Sequence, residues 1–86
     1  MKPLRLDWSP AARRELKRLP APDRERVLRT VNRFEQSGQG DVVKLTGVDP
    51  PEYRLRVGPW RVRFEWDQAA GIVIVLHVYP RGKAYR

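Results

Sequence analysis

The chain has 86 residues, enough for one domain with a single small core and too few for a Rossmann domain or a (β/α)₈ barrel. It has no cysteine and one histidine, which excludes disulfides, thiolate zinc sites, a cysteine nucleophile and most histidine-built metal sites. The formal charge is +8, and 14 of the 18 basic residues are arginine, which indicates a polyanionic partner such as nucleic acid or an acidic protein segment.

The first 36 residues predict a strand followed by two helices. Residues 4–8 alternate apolar and polar side chains, as a strand with one buried face does. Ser9-Pro10 supplies a helix cap and a proline at the first helical position, and this helix ends at Pro20. A second helix is predicted from Asp23 to about Gln36, where apolar residues recur at helical spacing. The N-terminus lacks the apolar stretch of a secretory signal, so we expect a cytoplasmic protein.

The rest of the chain predicts a loop and three antiparallel strands. The loop covers Asp41 to Pro51, and a turn at Gly58-Pro59 separates the first two strands, Tyr53–Val57 and Trp60–Trp66. The third strand, Ile72–Tyr79, is apolar on both sides, so we expect it to be central. Its longest apolar run is much shorter than the roughly 20 residues of a membrane span, so no membrane partner is expected.

Together these elements predict an α+β fold in the order β-α-α-β-β-β. Two helices joined by so short a break form an αα-hairpin, which we expect to pack on one face of a small, twisted, mainly antiparallel sheet. No linker or repeat interrupts the chain, so residues 1–86 are predicted to form one domain.

A cationic sheet face is the strongest functional signal. If Gly58-Pro59 is a two-residue loop, Arg56 lies opposite Arg61 and Arg54 lies opposite Arg63. Like charges directly opposite one another destabilise a sheet, so stability alone does not favour this arrangement. A phosphate backbone or a carboxylate cluster would neutralise it. The alternative is a solvated face on which long arginine stems cover the sheet.

The order and spacing of several motifs resemble the RelE/ParE toxin superfamily of bacterial type II toxin–antitoxin modules, and its RelE-like branch in particular. The helix ending Lys17-Arg18-Leu19-Pro20 and the turn Lys44-Leu45-Thr46-Gly47 are similar to family motifs. The segment 53–62, YRLRVGPWRV, resembles the core pattern Y-R-x-R-x-G-x-Y-R, and Val78-Tyr79-Pro80-Arg81 resembles the family's ending.

The resemblance implies a metal-independent endoribonuclease, without any cofactor, that cleaves mRNA on the ribosome and is neutralised by a cognate acidic antitoxin. In this chemistry the ribose 2′-OH attacks the adjacent phosphate. The resemblance places Arg61 at the scissile phosphate, Arg81 at the developing charge or leaving group, and Tyr85 on a base, with Arg54 and Arg56 on the basic strand of the site. Further RNA-binding positions are Lys44, Arg63, Lys83 and Arg86.

The general base is not identified by the sequence. Some relatives carry lysine where this chain has Arg54 and Arg56, and many carry histidine where it has Pro80. The candidate bases are Glu65, which shares the face of the arginines, and His77, which a strict alternation places with Val73, Val75 and Tyr79. Two other functions stay open: a non-catalytic ParE-like toxin that inhibits DNA gyrase, and an inactive nucleic-acid-binding relative.

Overall fold

The first strand is followed by an αα-hairpin and four more strands in the computed structural model, which describes residues 3–83. The elements, numbered in chain order, are β1 (Arg5–Trp8), α1 (Pro10–Arg18), α2 (Ala21–Ser37), β2 (Val42–Lys44), β3 (Glu52–Val57), β4 (Trp60–Asp67) and β5 (Ile72–Pro80).

All five strands form one sheet in the order β1-β5-β4-β3-β2. Only β1 and β5 run parallel, and the chain between them contains the αα-hairpin and strands β2 to β4, while the remaining neighbours are antiparallel. The predicted α+β class and the mainly antiparallel sheet are confirmed. β5, which we expected to be central, lies between β1 and β4 and is not an edge strand, although β4 is the middle strand and Ile72 and Ile74 remain 37% and 38% exposed.

The helices begin where their cap residues permit. Ser9 caps α1 as predicted, since its side chain accepts a hydrogen bond from the Ala12 amide at 3.0 Å. The predicted break before Asp23 is wrong, because α2 already begins at Ala21 and includes Asp23 in its first turn. Pro22 is tolerated in the first turn of a helix, and the Asp23 carboxylate is stabilised there by the positive end of the helix dipole. Residues 21–23 therefore form the start of α2.

The predicted loop from Asp41 to Pro51 contains a short strand. β2 pairs antiparallel with β3 and forms one edge of the sheet, with Val43 opposite Arg54. Three residues are too few for a sequence pattern to distinguish a strand from a loop.

The core lies between the αα-hairpin and one face of the sheet. Val27, Val31 and Phe34 of α2 are buried, and the Phe34 ring lies 5.2 Å from that of Phe64 on β4. We call the opposite face of the sheet, which the helices do not cover, the outer face. None of the helices within residues 3–83 is long and apolar enough to cross a membrane.

Candidate nucleic-acid interface

The β3–β4 hairpin places four arginines on the outer face. The two-residue turn at Gly58-Pro59 pairs Val57 with Trp60, so Arg56 lies opposite Arg61 and Arg54 opposite Arg63. This is the register that the sequence predicts. The turn depends on Gly58, whose φ of 56° lies in the left-handed region and suits the first position of such a hairpin loop.

A cleft of about 430 Å³ opens on the outer face next to these strands. Its lining combines cationic side chains with one phenol ring, and we call it the arginine cleft. The lining residues are Leu45, Arg54, Arg61, Arg63, Tyr79, Arg81, Gly82 and Lys83. The structure therefore brings together five of the basic residues that the sequence selects, from two strands of the sheet and from the segment after β5.

Arg61 is held in place by backbone carbonyls. Its Nη1 donates to the oxygens of Gly58 and Trp60, both at 2.9 Å. Carbonyl groups orient the guanidinium but carry no formal charge to neutralise it. The guanidinium therefore keeps its full positive charge, and its other N–H groups can donate to an anion. The amide of Arg81 donates to the Pro59 oxygen at 2.7 Å, which fixes the backbone of Arg81 beside the same turn.

Two of the arginines have acidic partners. The Arg63 guanidinium forms an ion pair with Glu52, and both side chains are mostly buried. Arg56 lies 4.0 Å from the Asp41 carboxylate, is well exposed, and does not line the cleft. These carboxylates offset part of the like-charge repulsion that the cross-strand register creates.

The expected orientation of His77 is wrong in part. β5 has a bulge at Leu76, so Phe64 pairs with Val75 while Arg63 pairs with His77. The extra residue reverses the alternation, and His77 lies in register with the outer-face arginines rather than with Val73 and Val75. Tyr79 shares its new face, because it pairs with Arg61.

His77 is anchored to α1. Its Nδ1 lies 3.2 Å from Oε1 of Glu15, and the same oxygen accepts from the Val78 amide at 3.0 Å. Glu15 thus binds the stretch of β5 that extends beyond β1. His77 does not line the arginine cleft.

Glu65 lies on the outer face, as its alternation with Arg61 and Arg63 predicts, but it lines a second depression and not the arginine cleft. Glu65 and Arg61 lie toward opposite ends of β4. Glu65 pairs with Glu52 and Ile74 near one end, and Arg61 pairs with Tyr79 near the other. This placement removes Glu65 from the group of cleft residues.

Lys44, a predicted RNA-binding residue, does not line the arginine cleft. It pairs with Tyr53, whose ring stacks on the core residue Phe64, and it lines a separate surface depression. The other two predicted positions, Tyr85 and Arg86, lie outside residues 3–83.

Three cleft residues were not selected from the sequence, namely Leu45, Tyr79 and Gly82, and Tyr79 is the aromatic one. It is 6% exposed, and its ring forms one wall of the arginine cleft. The position of Tyr79 in the segment Val78-Tyr79-Pro80-Arg81 could have marked it as a site residue. Its place opposite Arg61, however, depends on the bulge at Leu76. Within residues 3–83, no three histidine, aspartate or glutamate side chains gather in a metal-binding arrangement.

The sequence and the fold were compared with known proteins. Residues 6–85 match the model of a family described as the ParE toxin of the type II toxin–antitoxin system, parDE. No curated protein matches the sequence at a significant level.

Several solved toxin structures share the fold. A chain of the RelE–RelB complex from Pyrococcus horikoshii OT3 is 27% identical, with 94% of this chain and 98% of that chain covered and a TM-score of 0.78. A chain of the RelBE2 toxin–antitoxin complex from Mycobacterium tuberculosis is 21% identical, with 96% and 97% covered and a TM-score of 0.80. For the isolated E. coli RelE toxin the identity is 21%, the coverage 94% and 87%, and the TM-score 0.71.

Proposed function

The chain belongs to the ParE toxin family of type II toxin–antitoxin systems, which confirms the predicted membership of the RelE/ParE superfamily, and from this premise we propose that the toxin cleaves mRNA on the ribosome. The observation that carries the proposal is the arginine cleft, which gathers Arg54, Arg61, Arg63, Arg81 and Lys83 around one concave surface. A concave cationic surface of this kind is suited to hold an RNA backbone.

The proposed reaction uses the substrate's own nucleophile. The ribose 2′-oxygen forms a bond to the adjacent phosphorus while the bond from phosphorus to the 5′-oxygen breaks. The 2′-hydroxyl proton is released and the 5′-oxygen takes up a proton, which leaves a 2′,3′-cyclic phosphate and a 5′-hydroxyl. Negative charge grows on the phosphate oxygens during this step, so fixed guanidinium groups accelerate it without any further ion.

The cleft suggests a distinct role for each arginine. Arg61 binds the scissile phosphate, because two carbonyls orient it and leave its charge intact. Arg81 lies beside the same turn and stabilises the leaving group. Arg54 and Arg63 line the cleft and bind flanking phosphates, while Arg56 and Lys44 lie outside it and contribute to the surrounding field.

Positioning and charge stabilisation account for catalysis in this proposal, and no single side chain is assigned as the base. Glu65 lines another depression, and His77 is tied to Glu15 outside the cleft lining. Tyr85 remains the proposed stacking residue, on its sequence position alone.

We further propose an acidic antitoxin as the partner that neutralises this toxin. The similar structures from P. horikoshii and M. tuberculosis are toxin–antitoxin complexes. An acidic segment laid over the arginine cleft would replace the RNA phosphates with carboxylates, which bidentate guanidinium groups bind well.

DNA gyrase inhibition is the second candidate function. The family model that matches the chain is the ParE model, and this observation favours a non-catalytic toxin. In that case the arginine cleft would bind an acidic protein surface or DNA instead of a scissile phosphate.

The deciding experiment is controlled expression of the toxin followed by mapping of mRNA 5′ ends with and without ribosomes. We expect cuts inside translated codons only when ribosomes are present. Growth arrest with intact mRNA would support the gyrase target, and retained RNA binding without arrest or cleavage would indicate an inactive relative.

Arg81→Ala is the matched loss-of-function variant. Arg81 is exposed, and the hydrogen bond from its backbone amide to the Pro59 oxygen does not need the side chain, so we expect lost cleavage with unchanged thermal stability. Arg29→Ala removes an exposed arginine from α2 on the other side of the molecule and should leave cleavage unchanged. Parallel loss of stability and toxicity in Arg81→Ala would instead mark a structural residue.

A further inference from the structure

A second depression lies at the end of the sheet away from the arginine cleft, where outer-face residues of β4 and β5 meet Tyr53 and Trp66, which pack against the core. It encloses about 570 Å³, and its walls include Pro50 and Pro51 from the loop before β3 and Ile72 and Ile74 from β5. We call it the Glu65 pocket. Apolar side chains dominate its lining, and the two isoleucines are among the most exposed large hydrophobic residues of residues 3–83. Exposed apolar surface inside a concavity is typical of a binding site.

The Glu65 carboxylate has no counter-charge in the described part of the chain. The residue is half-buried, and none of the hydrogen bonds or ion pairs within residues 3–83 uses its side chain. Its cross-strand neighbour Glu52 is also acidic and is already paired with Arg63. With Glu52 in register beside it, Glu65 gives this end of the sheet a local negative charge, and a cationic group in the pocket would pair with it.

The rim reinforces this acidic character. Asp67 lines the pocket next to Glu65, and Asp7 of β1 lies in register with Ile74. Arg5, in register with Ile72, is the one basic neighbour that the strand pairing of β5 places there. In a chain of net charge +8 this pocket therefore disfavours the polyanions that the arginine cleft attracts.

We propose that the Glu65 pocket docks a basic segment of a partner protein, in which a lysine or arginine stands next to an apolar side chain. The cationic group pairs with Glu65 and Asp67, and the apolar side chain covers Ile72 and Ile74. Basic arms of this composition are common in proteins that bind nucleic acid. Glu65 is four residues from Arg61 on β4, roughly 13 Å along a strand, and two residues from Arg63, so the pocket and the arginine cleft are adjacent sites on the same strand.

A peptide titration followed by ¹⁵N nuclear magnetic resonance tests this proposal on the full-length Arg81→Ala toxin. The probe is the peptide acetyl-Gly-Lys-Leu-Arg-Leu-Gly-amide, and a second peptide replaces both leucines with glycine. We expect shifts confined to residues 65–68 and 71–75, with clearly weaker binding of the glycine peptide. The assay needs no cleavage activity, so its result is independent of whether the toxin cuts mRNA.

A charge-matched pair of variants completes the experiment. Glu65→Gln should weaken the leucine peptide about tenfold, the loss expected for one charge-assisted hydrogen bond. Glu25→Gln makes the same change in charge at an exposed position on α2 and should leave the affinity unchanged. Equal affinities of the two variants, shifts at the arginine cleft, or binding of a short RNA at residues 65–75 would overturn the proposal. Concentration-dependent shifts without peptide would assign the pocket to a second copy of the chain, which would also overturn it.

Discussion

At the scale of single residues, the arginines of the outer face differ in what holds them. Arg61 is oriented by two neutral carbonyls, Arg63 is held by a carboxylate, and Arg56 is exposed with the Asp41 carboxylate 4.0 Å away. A neutral acceptor fixes geometry and preserves charge, while a carboxylate fixes geometry and cancels charge. The sequence predicts the shared face of these residues, but it does not predict this division of roles.

The role of Arg61 predicts that lysine cannot replace it. Arg61→Lys keeps the charge but loses the planar fork, so it cannot hold both carbonyls and still present paired donors to a phosphate. We expect cleavage to fall by about 10²-fold or more, the usual loss for a fixed donor to a developing charge. Single-turnover cleavage on ribosomes measures the effect, with Arg29→Lys as the exposed control. Full activity of Arg61→Lys would mean that only its charge matters.

Glu15 and His77 allow a second prediction at this scale. Glu15→Ala removes the acceptor of the Val78 amide as well as the partner of His77, so we expect the free energy of unfolding to fall by about 1–3 kcal/mol. His77→Ala leaves the Val78 bond intact and should cost less, with cleavage unchanged. Urea denaturation and the ribosome assay measure both quantities. A His77→Ala variant that folds normally but no longer cleaves would make His77 part of the catalytic machinery.

At the scale of elements, the β3–β4 hairpin was predictable and β5 was only partly so. A two-residue loop between alternating strands fixes one register, which the sequence alone can supply. The bulge at Leu76 depends on tertiary contacts, because Ser9 Oγ donates to the Leu76 oxygen at 2.8 Å and the Ser9 amide donates to the Val75 oxygen. The Ser9–Leu76 contact joins residues 67 positions apart, so no local pattern predicts the reversal of His77.

The hairpin turn predicts the outcome of glycine substitution. Gly58 and Gly47 both have positive φ, 56° and 72°, so alanine at either position should cost about 1–2 kcal/mol of unfolding free energy. A Cβ at Gly58 would also lie 2.5 Å from Arg26 Nη1, whereas nothing lies within 4 Å at Gly47. The Arg26 guanidinium is the far end of a flexible, exposed side chain and can move aside, so we expect similar losses for the two substitutions, measured by urea denaturation. A clearly larger loss for Gly58→Ala would show that the Arg26 side chain is held in place.

At the scale of the whole molecule, the αα-hairpin covers one face of the sheet and leaves the other free for binding. That outer face is divided along β4 into the arginine cleft at one end and the Glu65 pocket at the other. The sequence predicts the fold class and the basic half of the outer face, because both follow from the local pattern of apolar and polar residues. It does not predict the Glu65 pocket, which needs β5 and the segment around the start of β3 to meet β4 in space.

The distribution of charge predicts how single-stranded RNA binding depends on salt. Each neutralised phosphate contributes a slope of about −0.7 to the plot of log binding constant against log salt concentration. Arg54 and Arg81 have no ion pair among residues 3–83 and line the cleft, so Arg54→Gln and Arg81→Gln should each make the slope shallower by about 0.7. Arg56→Gln should change it less, because Asp41 already offsets its charge and it lies outside the cleft.

Fluorescence anisotropy with a short labelled RNA, measured across a salt series, gives these slopes directly. Arg29→Gln is the control, since it lowers the net charge by the same amount from the helical side of the molecule. If RNA occupies the arginine cleft, the control keeps the slope of the unmodified toxin. If Arg29→Gln makes the slope as much shallower as Arg54→Gln does, RNA binding responds to the overall charge of +8 and not to the arginine cleft. The comparison separates a defined RNA site from general attraction to a basic protein.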